Sequence, residues 1–130
     1  MTIAKENVKM TGPAMVLNVA DLPKAVEFYE RTLGFEREET GGHVHMSRGT
    51  AVFILHPVPN PSDVRPNSAA EGGLYFDAYC YTDDVRSLFE ELKGKGAEIV
   101  RGVDPLPWNE HWNEFTVKDP DGYCITFGGK

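Results

Sequence analysis

Met15–Val19 (MVLNV) is a short, largely apolar run that reads as a strand. Asp21 then stands where a helix N-cap accepts an orphan backbone N–H, and Pro23 falls in the first turn, where its missing N–H is harmless. Leu22, Ala25, Val26, Tyr29 and Leu33 recur at helical spacing before Gly34 stops the helix. The same order returns with an apolar strand over 74–81, Asp84 as cap, then Val85, Leu88, Phe89 and Leu92, with Gly94 and Gly96 as the stop. One offset of 63 residues carries Asp21 to Asp84, Leu22 to Val85, Ala25 to Leu88, Val26 to Phe89 and Tyr29 to Leu92. Three strands are expected after each helix, at 35–39, 43–48 and 51–56 and again at 98–101, 112–118 and 123–127, with Asp119-Pro120-Asp121-Gly122 turning the last pair. The chain therefore reads as an α+β fold of two βαβββ modules, module one at about 12–57 and module two at about 74–128. Residues 58–73, rich in Pro, Asn, Ser and Gly, read as a linker. Asp104-Pro105-Leu106-Pro107, just before Trp108, reads as another irregular loop.

Composition narrows the function. At 130 residues and 41% hydrophobic, one domain spanning 1–130 can bury a core without disulfides or a structural metal. The formal charge of −7, from 20 acidic against 13 basic residues, disfavours nucleic acid and anionic membranes as partners and suits cationic small molecules. The opening MTIAKENVKMTG lacks the apolar core of a signal peptide, and no run approaches the roughly 20 apolar residues that span a bilayer. A cytoplasmic protein is expected, with Cys80 and Cys124 as buried reduced thiols.

Three stretches, VADLPKAVEFYERTLGF, YTDDVRSLFEELKGKGAEIV and FTVKDPDGYCITF, resemble the vicinal-oxygen-chelate superfamily of glyoxalase I, extradiol dioxygenases, fosfomycin-resistance enzymes and bleomycin-resistance proteins. The resemblance covers roughly residues 12 to 128. It implies a cup of curved mixed sheet with the helices outside, and in the enzymes a divalent metal held by His and Glu from the first and last strand of each module. Those four positions fall on Ala14, Ile54, Asp77 and Thr126. A methyl, a branched hydrocarbon and a lone hydroxyl are not strong ligands, so no metal or other cofactor is expected. A relocated site built from His43 and His45, which share a strand face at i, i+2, with His56 and His111, is the alternative.

If the family's ligand positions face the cup, the period of two brings their strand neighbours with them. The cup then holds Asn18, His56, Tyr75, Asp77, Tyr79, Trp112, Glu114 and Thr126 as candidate ligand-binding residues. Leu17, Val19, Phe53, Leu55, Phe76, Phe115, Val117, Ile125 and Phe127 take the helix-facing core. Aromatic faces attract planar or cationic groups, and a partly desolvated carboxylate adds a charge-assisted hydrogen bond. This composition looks like the bleomycin-resistance branch, whose members bind a bulky cationic glycopeptide at a dimer interface without chemistry. The expectation is a homodimeric binding protein for a cationic or aromatic small molecule. The rival is an enzyme with the relocated histidine site, or with Asp77 or Glu114 as general base. Trp112 could equally be plain interface packing, and Asp77 and Glu114 partners of Arg48 or Arg101.

Overall fold

A computed structural model describes residues 7–102 and 111–130. The loop expected around Asp104 and Trp108 lies outside the described residues. The order is β1 (Met15–Val19), α1 (Leu22–Glu27), β2 (Glu36–Thr40), β3 (His43–Arg48) and β4 (Ala51–Pro57), then β5 (Ala78–Thr82), α2 (Val85–Gly94), β6 (Glu98–Arg101), β7 (Asn113–Lys118) and β8 (Cys124–Gly129). Each module folds into a four-stranded mixed sheet, in the orders β1-β4-β3-β2 and β5-β8-β7-β6. In each, the first strand lies parallel to the last, Met15 opposite Phe53 and Ala78 opposite Ile125. This is the α+β architecture that the doubled pattern predicts. No helix among the described residues is long and apolar enough to cross a membrane.

Both helices begin as their caps dictate. The Asp21 carboxylate accepts from the Lys24 N–H, and that of Asp84 accepts from the Ser87 N–H and hydroxyl, each engaging a donor that the first turn leaves unpaired. Beyond Glu27 the first helix widens into a π-helical turn over Phe28–Thr32, which keeps Tyr29 fully buried. The inner faces of the helices meet the alternate strand residues expected of a core. Leu17, Val19, Phe53 and Leu55 from one sheet and Phe115, Val117, Ile125 and Phe127 from the other belong to a single buried cluster with Tyr29, Val85, Phe89 and Leu92.

Two expectations change. The strand expected over 74–81 starts only at Ala78, because Asp77 is recruited elsewhere. Its carboxylate accepts from the Ser68 N–H (2.8 Å), the Ser68 hydroxyl (2.5 Å) and the Cys124 N–H (2.8 Å), which ties the linker to β8 and leaves 74–77 irregular. Phe76 consequently leaves the core. Its ring instead stands against Tyr75 at 5.0 Å and Tyr79 at 5.2 Å between centroids.

The two modules are joined through the Asp119-to-Gly122 turn. Asp119, only 4% exposed, accepts from the Tyr29 hydroxyl of α1 (2.9 Å) and from the backbone N–H groups of Asp121 and Tyr123 (2.9 Å each). Asp121 accepts from the Ala20 N–H, and the Tyr123 hydroxyl donates to the Asn18 carbonyl. A second link is the two-pronged ion pair of Arg48 with Glu91, at 2.7 and 2.9 Å. It is partly exposed and contributes less than the buried contacts.

Burial pushes the Asp119 carboxyl up to about 6, against the pull of its hydrogen-bond donors. A raised carboxyl contributes stability that is fully present below its unfolded value near 4 and is lost as pH rises through about 6. Relative to an Asp119→Asn variant, the wild type is therefore expected to lose up to about 3 kcal/mol of unfolding free energy between pH 4 and pH 6.5. Urea unfolding of both proteins across that range measures it, and parallel stability curves would refute it.

Candidate functional site

Sheet register assembles the site. Glu114 on β7 lies opposite Gly128, Thr116 opposite Thr126, and Tyr79 on β5 beside Thr126, so the side chains of Tyr79, Glu114, Thr116 and Thr126 share one sheet face. On that face Glu114 receives two phenols, Tyr75 on one carboxylate oxygen and Tyr79 (2.7 Å) on the other. Trp112 donates its indole N–H to the Tyr79 hydroxyl at 2.9 Å. The rings run on as a ladder, Tyr75 to Phe76 to Tyr79 to Tyr81 to Trp112, with successive centroids 5.0, 5.2, 5.1 and 6.1 Å apart. Most of these contacts are edge-on or tilted, the geometry that the ring quadrupole favours. Trp112 and Tyr81 remain open to solvent, at 47% and 78% exposure.

The carboxylate governs the phenols around it. Burial first, and then the hydrogen bond to Glu114, push Tyr79 up to about 12. The Glu114 hydrogen bond, with burial, raises Tyr75 as well. Both therefore remain protonated donors at neutral pH. Glu114 itself forms no salt bridge among the described residues, so its negative charge is shared with neutral donors rather than cancelled by a cation.

A cleft of about 1200 Å³ opens between the modules, with Tyr79 and Tyr81 along one side and Phe35, Phe53, Leu88 and Phe127 among its lining. A smaller cavity of about 360 Å³ gathers Asn18, Asp77 and Tyr123 with Arg65 and Asn67 of the linker. Glu114 and Trp112 line neither of these two, so the ring ladder is a shelf at the rim of the larger cleft.

The expected site residues thus divide. Tyr75, Tyr79, Trp112 and Glu114 come together in one network. Asp77 serves the linker, and Thr126 is wholly buried with its hydroxyl 2.7 Å from that of Thr116. Asn18 and His56 sit side by side across the β1–β4 ladder on the other sheet, where the Asn18 amide reaches the Asp63 carbonyl at 3.4 Å. Phe76, Tyr81 and Gly128 are additional members. Tyr81 continues the phase of 75, 77 and 79, so the period of two already points to it. Phe76 carries no such signal, because its role follows from the irregular backbone before Ala78. Gly128 matters by what it lacks: a Cβ there would overlap the hydroxyl and ring of Tyr79.

The positions at which the resemblance expects a metal do not fit one. Ala14 and Ile54 have no donor atom, the Thr126 hydroxyl is engaged, and both Asp77 oxygens already hold protein donors. Among the described residues no three His, Cys, Asp or Glu side chains converge as a ligand set. His45 bonds only the His43 carbonyl at 3.3 Å. Burial pushes the Cys80 thiol up to about 11, which makes it a poor nucleophile at neutral pH.

Comparison with known proteins gives one consistent direction. The sequence model of the Glyoxalase/Bleomycin resistance protein/Dioxygenase superfamily matches residues 12–127. A lactoylglutathione lyase of Neisseria meningitidis is 29% identical over 119 residues, 86% of this chain and 85% of that protein. An integron cassette protein from the mobile metagenome of V. Cholerae superposes with a TM-score of 0.65 at 27% identity, covering 93% of this chain and 96% of the other. The bleomycin-binding protein of bleomycin-producing Streptomyces verticillus, in complex with copper(II)-bleomycin, superposes at 0.63 with 23% identity, covering 92% and 96%.

A Gly128→Ala substitution is expected to expel Tyr79 from its place across β8, taking with it the hydrogen bonds to Trp112 and Glu114. The cost should be about 1–3 kcal/mol, as for other overpacked positions. Near-UV circular dichroism and urea unfolding report the two effects. Superimposable near-UV spectra would mean that the ring does not lie there.

Proposed function

Because the chain belongs to the glyoxalase/bleomycin resistance protein/dioxygenase superfamily yet carries Ala14, Ile54 and Thr126 where the resemblance expects ligands, we propose that it is a metal-free binding protein. It captures a cationic, aromatic small molecule on the Tyr75-to-Trp112 wall and acts as a homodimer in the cytoplasm. The observation that carries this reading is Glu114, a carboxylate held by two neutral phenols within a ladder of rings. An organic cation laid on that shelf gains a ring face and a negative charge at once. The free thiols of Cys80 and Cys124 suit a reducing compartment. Exposed Val16 and Leu74 provide apolar surface for a second copy. The Streptomyces verticillus protein is compatible with capture as a use of this fold, although the likeness speaks to fold alone.

The likeness to a lactoylglutathione lyase favours, as second reading, an enzyme of the same superfamily. It would use Glu114 or Asp77 as a base or a relocated metal at His43 and His45. Against it stand the occupied oxygens of Asp77 and the exposed setting of His43.

Titration with N-methylacridinium, a planar aromatic cation, separates the readings. Binding is expected, and Trp112→Ala and Glu114→Gln should each weaken it by about 1–2 kcal/mol, or roughly five- to thirtyfold. Metal analysis of protein purified without a histidine tag is the companion measurement. A stoichiometric transition metal that disappears in the His43→Ala, His45→Ala double variant would establish the enzyme reading instead.

A further inference from the structure

Between β6 and β7 the ladder slips. Ile99 lies opposite Val117, but Arg101, two residues on, lies opposite Thr116, with the irregularity between them. In an unbroken antiparallel ladder Arg101 would face Phe115 and point with it into the core. The extra residue transfers Arg101 to the face of Thr116 and Glu114, which is how a bulge re-aims a side chain. Gly102 makes the close approach possible. It has φ +77°, and a Cβ there would lie 2.8 Å from the Glu114 carbonyl oxygen and 3.0 Å from the Phe115 Cα, so no other residue fits without strain.

The re-aimed guanidinium comes to rest over the ring of Tyr75, its central carbon 4.1 Å from the centroid. Arg101 has no carboxylate partner within salt-bridge distance among the described residues. Among the described residues its charge is met by the ring face of Tyr75. The Tyr75 hydroxyl meanwhile points to Glu114, so the aromatic face and the carboxylate that would attract a ligand's cation are next to each other, and a protein cation already covers the face.

We propose that Arg101 is an internal placeholder that a ligand's cationic group displaces from the face of Tyr75, which makes it a specificity-determining residue for planar cations at this site. The inference rests on the reading of the Tyr75-to-Trp112 wall as the ligand site and adds the identity of the group that competes for it. A neutral aromatic ligand gains nothing by displacing a guanidinium. A planar cation replaces one cation–ring contact with another and frees Arg101 to solvent, so the barrier to its entry is the contact that Arg101 already makes.

The test pairs N-methylacridinium with neutral acridine, of nearly equal shape, at pH 7.5. Arg101→Ala is expected to tighten N-methylacridinium two- to fivefold and to change acridine less than twofold. Removing any nearby positive charge would also favour a cation at long range, so the titration is repeated at about 1 M salt, where the Debye length is only about 3 Å. The gain is expected to survive there and to vanish when Tyr75 is already Leu, by the logic of a double-mutant cycle. Weaker cation binding by Arg101→Ala, a gain abolished by salt, or an undiminished gain in the Tyr75→Leu background would each overturn the proposal while leaving the wall as a binding site. If neither probe binds the wild type or any variant, the wall is not a site and the placeholder falls with it.

Discussion

One buried carboxylate holds the two halves of this molecule in a common arrangement. Asp119 belongs to the turn that sets the register of β7 against β8, and the backbone donors of that turn fold back onto it. It also receives the Tyr29 hydroxyl from the helix of the other module. An isolated carboxylate at this depth would be costly, whereas one with three donors is tolerable and directional. The direction matters, because β7 and β8 carry Glu114 and Gly128, with Trp112 just before β7. The geometry of the aromatic shelf is thus inherited from a contact on the far side of the hairpin, made by residues outside the shelf.

The repeat was legible because its signals are local. Aspartate caps and apolar residues at helical spacing act within a few residues of one another, and they recur at a constant offset, so both helices and the strand order could be read directly. The core face followed from the same periods. What escaped was every feature set by a distant partner. Leu74 to Asp77 looks like strand from composition, yet Ser68 and Cys124 claim the Asp77 carboxylate and the strand starts only after it. The period of two then no longer holds for Phe76. The slip before Arg101 is invisible in the sequence EIVRG, since nothing there says that Ile99 and Arg101 face opposite sides.

The candidate site shows the same division. Tyr75, Tyr79, Trp112 and Glu114 could be grouped from strand phase, because Tyr75 and Tyr79 flank the family's ligand position at Asp77, and Trp112 and Glu114 share a phase in the closing hairpin. Their hydrogen bonds to one another could not. A sequence cannot tell whether a glutamate in a cup is free, paired with arginine or held by phenols, and the arginine-paired state differs from the other two in net charge and in what it attracts. Here the phenols hold it, so the charge persists in an aromatic setting. Asp77, of the same chemical type and two residues from Tyr75 and Tyr79, is wholly absorbed by backbone and serine donors.

The absence of suitable donors at Ala14, Ile54 and Thr126 and the construction of the ring ladder are connected by packing. A metal centre needs an open hollow at the middle of the sheet, with donors converging on it. In this chain the Thr126 side of that hollow is filled, with the Thr116 and Thr126 hydroxyls paired and buried and the Tyr79 ring laid against Gly128. The same ring that fills the space reaches outward to Glu114 and Trp112. Filling that side therefore also builds the shelf: the Tyr79 ring can lie across the end of β8 only while residue 128 has no side chain, and from that position its hydroxyl donates to the carboxylate of Glu114.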